Sequence, residues 1–298
     1  MCAIKYSFII PHKNAPELLS RCVGSIPERD DLEIIVVDDN SDEDLVPAVS
    51  RPGMKIIRLN GSESNGAGHA RNVGMDSSSG KWLLFADCDD FYEEGFLSVL
   101  DRYSDSDREI VLFGAHIDYV DSPDGPEEGN NWLEVSIERY QASDKSHLDL
   151  MRLLLMVNNP WCRMYNHEFV RSTGARYEEI PICNDAAFSL IVSSKAQNVE
   201  VIPDKLYYYV LNPDGITRKK RPLSHYYQEI DSQNRLNLLK KRCGVPDIIC
   251  LPGFNKKRVI RDYGKLTFYK LYLYKIMHDP TYPATFLFHV RRKLKRLI

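Results

Sequence analysis

The first hundred residues alternate two patterns. Short runs dense in Ile, Val, Leu and Phe lie at Tyr6–Ile10, Glu33–Val37, Lys55–Leu59 and Lys81–Ala86, and Glu109–Ala115 follows them. Between them, stretches of helical period fall at about 15–26, 66–78 and 91–103. Runs that are apolar at nearly every position read as strands buried on both faces. Strands alternating with helices read as βαβ units, hence a mostly parallel sheet sandwiched by helices. Farther on, DSPDGPEEGNN at 121–131 has loop composition. A helix is expected around 146–158, a short apolar piece at Trp161–Tyr165, a helix opening at Asn184 and a strand at 206–210, LYYYV. From about 225 the pattern is helical and rich in Lys and Arg, interrupted near Gly244–Gly253. The expected organisation is an α/β domain over residues 1–220 and a helical, basic extension over 221–298, with no internal repeat.

Charge sharpens that division. Residues 1–217 hold 19 Lys+Arg against 37 Asp+Glu, a balance of −18, while residues 218–298 hold 20 against 5, a balance of +15. The small net charge of −3 hides this split. A basic part on an acidic chain points to an anionic partner: phosphates, nucleic acid or acidic lipid headgroups. The hydrophobic content of 43% over 298 residues is that of a globular protein. No apolar run reaches the roughly 18 residues of a membrane span. The opening MCAIKYSFIIPHKN reads as a first strand, not a signal peptide, so a cytoplasmic location is expected. Seven cysteines at irregular spacings, with no CxxC, predict reduced thiols.

Three expected element boundaries carry acids. EIIVV runs into Asp38-Asp39-Asn40-Ser41, KWLLFA runs into Asp87-Cys88-Asp89-Asp90, and Asn184-Asp185 opens a helix. Ligands of such sheets bind beyond the carboxyl ends of the strands. Three carboxylates within four residues repel one another unless a cation relieves them, and a hard divalent ion, Mn or Mg, bridging carboxylates to phosphates is the natural relief. Asp90, three residues before Glu93, also has the spacing of a cap on a helix beginning near Phe91. Asp42, Glu43 and Asp44 read as acids of a first helical turn, and Asp185 is open to the same reading. Asn65-Gly66-Ala67-Gly68-His69-Ala70-Arg71-Asn72 contains G-x-G, but Arg71 stands where a dinucleotide fingerprint has its third glycine. A helix N-terminus there could face an anion, with Arg71 reaching the ligand.

These segments, in order, resemble family 2 glycosyltransferases. SFIIPHKN is similar to the family's opening strand, and EIIVVDDNSDED to its nucleotide-binding strand end. NGAGHARNVGMDSSSGKWLLFADCDDF is similar to the central block ending in D-x-D; NPWCRMYNHEFV, ICNDAAFSL and KLYYYVLNPDGITR are similar to acceptor-side segments. The resemblance covers about 6–220 and implies the nucleotide-sugar-binding GT-A fold. It implies inverting transfer from a nucleotide-sugar donor, a UDP-sugar, to a hydroxyl of a glycan or lipid-linked acceptor in polysaccharide synthesis. Carried over, Pro11, Asp38, Asp39, Arg71, Asp87 and Arg218 would face the donor, Asp39 at the base and Arg218 at the diphosphate. Asp87, Asp89 and Asp90 would hold the metal, and Asp185 would be the catalytic base. Where the family often has Glu-Asp, this chain has Asn184-Asp185.

The roles are chemically coherent: a sugar hydroxyl needs a base to take its proton, and a leaving diphosphate needs its charge offset. The alternative is a non-catalytic nucleotide-sugar binder on the same fold. A nucleotidyltransferase would want a Gly- and Lys-rich loop after the first strand, which PHKNAP does not supply. Nothing in the basic half has the spacing of a zinc or helix-turn-helix nucleic-acid module. Its end, FLFHVRRKLKRLI, places Phe286, Leu287, Phe288 and Val290 before Arg291, Arg292, Lys293, Lys295 and Arg296. That composition suits a helix lying on an anionic membrane surface, which predicts a peripheral association with the inner face of the membrane.

Overall fold

The computed structural model describes residues 3–61, 66–119, 132–180, 182–211, 220–243 and 256–281. In chain order the elements are β1 (Tyr6–His12), α1 (Pro16–Gly24), β2 (Leu32–Asp38), β3 (Met54–Arg58), α2 (Gly66–Asp76), β4 (Trp82–Phe85), β5 (Phe91–Tyr92) and α3 (Phe96–Leu100). There follow β6 (Ile110–Tyr119), α4 (Trp132–Gln141), α5 (His147–Met156), β7 (Arg163–Asn166), α6 (His167–Thr173), α7 (Ala186–Lys195), β8 (Val199–Leu211), α8 (Leu223–Arg242) and α9 (Lys256–His278). The strands form one sheet in the order β3-β2-β1-β4-β7-β6-β8-β5. β1 pairs in parallel with β2 and β4, and β2 with β3. β7 runs antiparallel between β4 and β6, β8 is parallel to β6, and β5 is antiparallel on the β8 edge.

The consecutive apolar residues of the central strands supply two cores, one per face. On β1, Tyr6, Phe8 and Ile10 point into a cluster with Leu19 and Val23 of α1, Phe96 and Leu100 of α3, and Leu153 and Leu154 of α5. Ile9 points the other way, toward Phe85, Tyr165, Tyr177, and Phe188 and Val192 of α7. The mixed α/β sheet with helices on both faces is therefore the expected architecture. The helical extension is also present: α8 packs on α5 and α7 through Leu236 and Leu239, and α9 packs on α8. No helix among the described residues is long and apolar enough to cross a membrane. Cys22, Cys88, Cys162, Cys183 and Cys243 are free. Residues 286–298 and the loop 121–131 lie outside the described residues.

One expected helix is corrected. Residues 91–103 do not form a single helix: Phe91 and Tyr92 pair with Tyr208 and Tyr207 of β8, and the helix begins only at Phe96, after Gly95. Cross-strand aromatic pairing decides the local conformation, with Phe91 stacked on Tyr208 at 4.5 Å and Tyr92 edge-on to Tyr207 at 5.1 Å. Asp90 is accordingly not a helix cap. The acids Asp42, Glu43 and Asp44 sit at a three-residue 3-10 turn, Glu43–Leu45, where the Asp42 side chain makes no capping bond.

Candidate active site

Beyond the carboxyl ends of β1 and β2 two turns grip each other. The Asn14 N–H donates to Ser41 Oγ, Asn14 Nδ2 donates to Asp42, and the Asp42 N–H donates back to Asn14 Oδ1. Asn14 and Asn40 both take positive φ, 53° and 58°, which asparagine tolerates better than most residues. Beneath the turns, His12 Nδ1 lies 2.8 Å from Asp38 Oδ1, and His12 Nε2 accepts from the Ala15 N–H at 3.1 Å. An accepting Nε2 places the proton of the neutral ring on Nδ1, which donates to Asp38. Burial pushes the Asp38 carboxyl up, but hydrogen bonds from Ser41 and His12 outweigh it and hold it below the ordinary value. Asp38 is wholly buried, so it supports the turn. Asp39 is fixed through its backbone, its N–H donating to the His12 carbonyl and its own carbonyl accepting from Lys13. Pro11 is buried in β1 opposite Val37.

The second cluster follows β4. The Asp87 N–H donates to the Tyr207 hydroxyl at 3.0 Å, and that hydroxyl donates to Asp90 Oδ2 at 2.9 Å. Asp90 Oδ1 accepts from the Val210 N–H at 2.8 Å. With both oxygens engaged and no exposed surface, Asp90 serves as a strut between the β4 end and β8, and Asp87 and Asp89 are the more open carboxylates of the cluster. Burial, then Asp87 and Asp89, push its carboxyl well up. Asp87 and Asp89 remain half-buried at the mouth of the site. Burial and then Asp87 raise the Asp89 carboxyl to about 6, against which Arg21 and Arg71 act.

Arg71 joins this cluster to the third. Its guanidinium donates to Asp87 Oδ1 at 2.5 Å and to Asn184 Oδ1 at 2.8 Å, and lies over the Tyr177 ring at 5.4 Å. Only 5% of the residue is exposed, and its guanidinium is bonded inside the protein between Asp87 and Asn184. Neighbouring α2 residues hold the same segment. Asn72 clasps the Tyr177 backbone with both ends of its amide, Nδ2 donating to the carbonyl and Oδ1 accepting from the N–H, and His69 pairs with Glu179 at 2.9 Å. A Cβ on Gly68 would stand 2.1 Å from the Glu178 carbonyl oxygen, so this glycine of the G-x-G serves close backbone approach.

Asp185 heads α7 without a side-chain capping bond. Burial pushes its carboxyl above the ordinary aspartate value; Asp87 adds to this, while Arg71 opposes it. Behind it Phe188 stacks on Tyr177 at 4.1 Å and meets Phe85 edge-on, which seats α7 against the β4 strand. Arg218 lies outside the described residues.

Two half-buried carboxylates side by side, Asp87 and Asp89, the first of which raises the proton affinity of the second, fit a hard divalent cation that would relieve their repulsion. Among the described residues no group of three or more His, Cys, Asp and Glu could hold a metal ion. A cation here needs further oxygens from water or a phosphate, as Mg does when it bridges carboxylates to phosphates.

The sequence pattern pointed to the acids at the strand ends. It gave no notice of His12, Asn72, Tyr177 or Tyr207, whose partners are distant in the chain; the only available signal was the clustering of polar residues in GAGHARN.

Comparison with known proteins identifies the family and the fold. The family model for glycosyl transferase family 2 matches residues 7–174. The poly(ribitol-phosphate) β-N-acetylglucosaminyltransferase TarS of Staphylococcus aureus strain Mu50 is 23% identical over 221 residues, which are 71% of this chain and 36% of TarS. The glycosyltransferase EpsJ of Bacillus subtilis is 25% identical over 221 residues, 71% of this chain and 62% of EpsJ. The GalNAc(5)-diNAcBac-PP-undecaprenol β-1,3-glucosyltransferase of Campylobacter jejuni is 38% identical over 102 residues, 32% of this chain and 33% of that one. This chain thus spans about a third of the length of TarS. The crystal structure of S. aureus TarS 1-349 with UDP-GlcNAc superposes with a TM-score of 0.68 at 15% identity, covering 92% of this chain and 80% of that one. The chain belongs to glycosyl transferase family 2 and has the GT-A fold.

Proposed function

We infer that the chain transfers a sugar, with inversion, from a UDP-sugar to a hydroxyl of a glycan or lipid-linked acceptor, with residues 1–220 as the catalytic domain. The observation that carries this reading is the shared guanidinium. Arg71 binds Asp87 and Asn184 at once, so the donor-side carboxylate and the neighbour of Asp185 flank one buried cation. TarS, solved with UDP-GlcNAc, supports the donor class, and the undecaprenol-linked substrate named for the Campylobacter relative supports a lipid-linked acceptor. Both relatives and the family point to polysaccharide synthesis as the setting.

In this reading Asp39 receives the nucleoside base over the Asp38–His12 support beside Pro11, and Asp87 and Asp89 would hold Mn or Mg with the diphosphate. The metal, when bound, offsets the negative charge that builds on the leaving diphosphate. Asp185 takes the proton of the acceptor hydroxyl as its oxygen bonds to the anomeric carbon. The bond from that carbon to the diphosphate oxygen breaks, and its electron pair leaves with the nucleoside diphosphate. One base and one leaving group on opposite sides of the sugar give a single displacement, hence inversion. A carboxylate raised by burial is a stronger proton acceptor than a solvated aspartate, which suits Asp185 to this task.

The test is release of UDP from a panel of UDP-sugars, with Mn or with chelator, in the presence of polyol-phosphate and polyprenyl-linked acceptors. Acceptor-dependent, metal-dependent release with an inverted anomeric product is expected. Tight UDP binding without turnover on any acceptor would favour the non-catalytic binder, and retaining stereochemistry would reject Asp185 as a lone base.

A further inference from the structure

α9 is apolar on two sides. It breaks at Gly264, where φ of 83° and ψ of 167° interrupt the helical conformation. The second arm, Lys265–His278, turns Leu271 and Tyr274 inward against Tyr226, Tyr227 and Ile230 of α8. Its outer side carries Leu266, Tyr269, Leu273 and Met277, 70%, 64%, 57% and 72% exposed, with Tyr272 beside them. The spacing i, i+3, i+7, i+11 aligns them as one stripe, and Lys265 and Lys270, both exposed, flank it. The arm is about 21 Å long at 1.5 Å per residue.

Solvated helices do not keep such a stripe facing water, and charge selects what covers it. Residues 256–281 hold seven Lys and Arg against two Asp, within a C-terminal part at +15 attached to a body at −18. A second copy meeting this face across a two-fold axis would oppose cation to cation. An anionic lipid layer accepts the stripe among its headgroups and attracts the lysines, while it repels the acidic body and so sets the orientation. We propose that the outer face of the second arm of α9 docks this protein on an anionic lipid surface, with Leu266, Tyr269, Leu273 and Met277 in the headgroup layer and Lys265 and Lys270 on lipid phosphates.

α8 links the docked helix to the site. α8, against which α9 packs, contacts Ala186 and Leu190 of α7, the helix headed by Asp185, and Arg235 of α8 pairs with Glu178 at 2.6 Å. That the lipid layer also presents the acceptor rests on the proposed transfer reaction; the docking itself rests on α9.

The test uses the full chain and vesicles of phosphatidylglycerol with phosphatidylcholine, beside vesicles of phosphatidylcholine alone. Co-sedimentation that needs the anionic lipid and weakens with salt is expected. Leu266→Glu with Leu273→Glu should lower vesicle affinity by about tenfold or more. Both sites are exposed, so the fold should tolerate the change. Tyr269→Trp should gain an emission that brominated phospholipid quenches, beyond that of the wild type. Equal binding to neutral vesicles, indifference to the double substitution, or an unquenched Trp at 269 would each overturn the proposal. So would a dimer, seen by sedimentation equilibrium, that the double substitution breaks. UDP release without vesicles separates the two readings. Lost docking with intact release sinks the docking alone, whereas docking without release from any donor sinks the transfer reaction alone.

Discussion

At Asp185 chemistry and stability pull in opposite directions. Its folded-state proton affinity is raised, first by burial and then by Asp87. For an acid with a raised value, the folded state favours the neutral form. Stability is therefore greatest below the ordinary aspartate range and is lost as pH rises through the folded value. Asp185→Asn removes this penalty, so the variant is expected to melt at or above the wild-type temperature at neutral pH. Its transfer rate should fall by about 10²–10⁴-fold while UDP affinity changes little. Calorimetry and a transfer assay on one preparation check both, and an active Asn variant would leave Asp185 a helix-terminus acid. Asp90 makes the complementary case. Asp90→Ala strands the Val210 N–H and the Tyr207 hydroxyl and should cost roughly 2–4 kcal/mol. Asp90→Asn should keep most of the metal dependence that Asp89→Asn abolishes. A lost metal requirement in Asp90→Asn would restore Asp90 as a ligand. Acids at the ends of apolar runs were legible in the sequence. The strut role of Asp90 was not, because its partners Tyr207 and Val210 lie 117 and 120 residues away.

Among the elements, α2 sets the spacing of the site. Gly68 brings its backbone against the Glu178 carbonyl, and Arg71 and Asn72 hold the segment leading to Asp185. Gly68→Ala should force these backbones apart at a cost of about 1–3 kcal/mol, and should lower turnover with it. Gly24→Ala, near the end of α1 with nothing within 4 Å of the added carbon, should stabilise by about 0.4–1 kcal/mol. Denaturant midpoints of the two variants test the contrast; a harmless Gly68→Ala would mean that α2 can move away freely. β1, β2 and β4 were readable because each is a run of apolar residues buried on both faces; β3 lies at the sheet edge with Lys55, Ile56 and Arg58 exposed, so the burial expected of it is corrected. β5 was not, since two residues show no period and Tyr207 and Tyr208 make it a strand. α4 escaped notice because only Leu133 and Ile137 of its ten residues are buried. The antiparallel sense of β7 follows from its place between β4 and β6, which its own four residues do not encode.

For the molecule as a whole, donor binding should appear as stability. At a hundredfold excess over Kd, Mn with UDP should add about 2.7 kcal/mol and raise the melting temperature by roughly 4–5 °C. UDP in chelator should do much less. Equal shifts in the two conditions would refute a shared cation at Asp87 and Asp89. The division of the chain into an acidic body and a basic end was visible in composition alone; the outward-facing apolar stripe of α9 was not, because only the packing of Leu271 and Tyr274 on α8 decides which side faces out. The bond from Arg71 to Asp87 has a further consequence, for the order in which substrates load. A cation held at Asp87 would share that carboxylate with Arg71, so the charge that Arg71 offers toward Asn184 and Asp185 should change when the donor is in place. Linkage makes the effect reciprocal: whatever the donor does to acceptor affinity, the acceptor does to donor affinity. The Kd for acceptor should therefore shift with Mn·UDP occupancy in the wild type and lose that dependence in Arg71→Met, so that one buried side chain keeps the two halves of the reaction from filling independently.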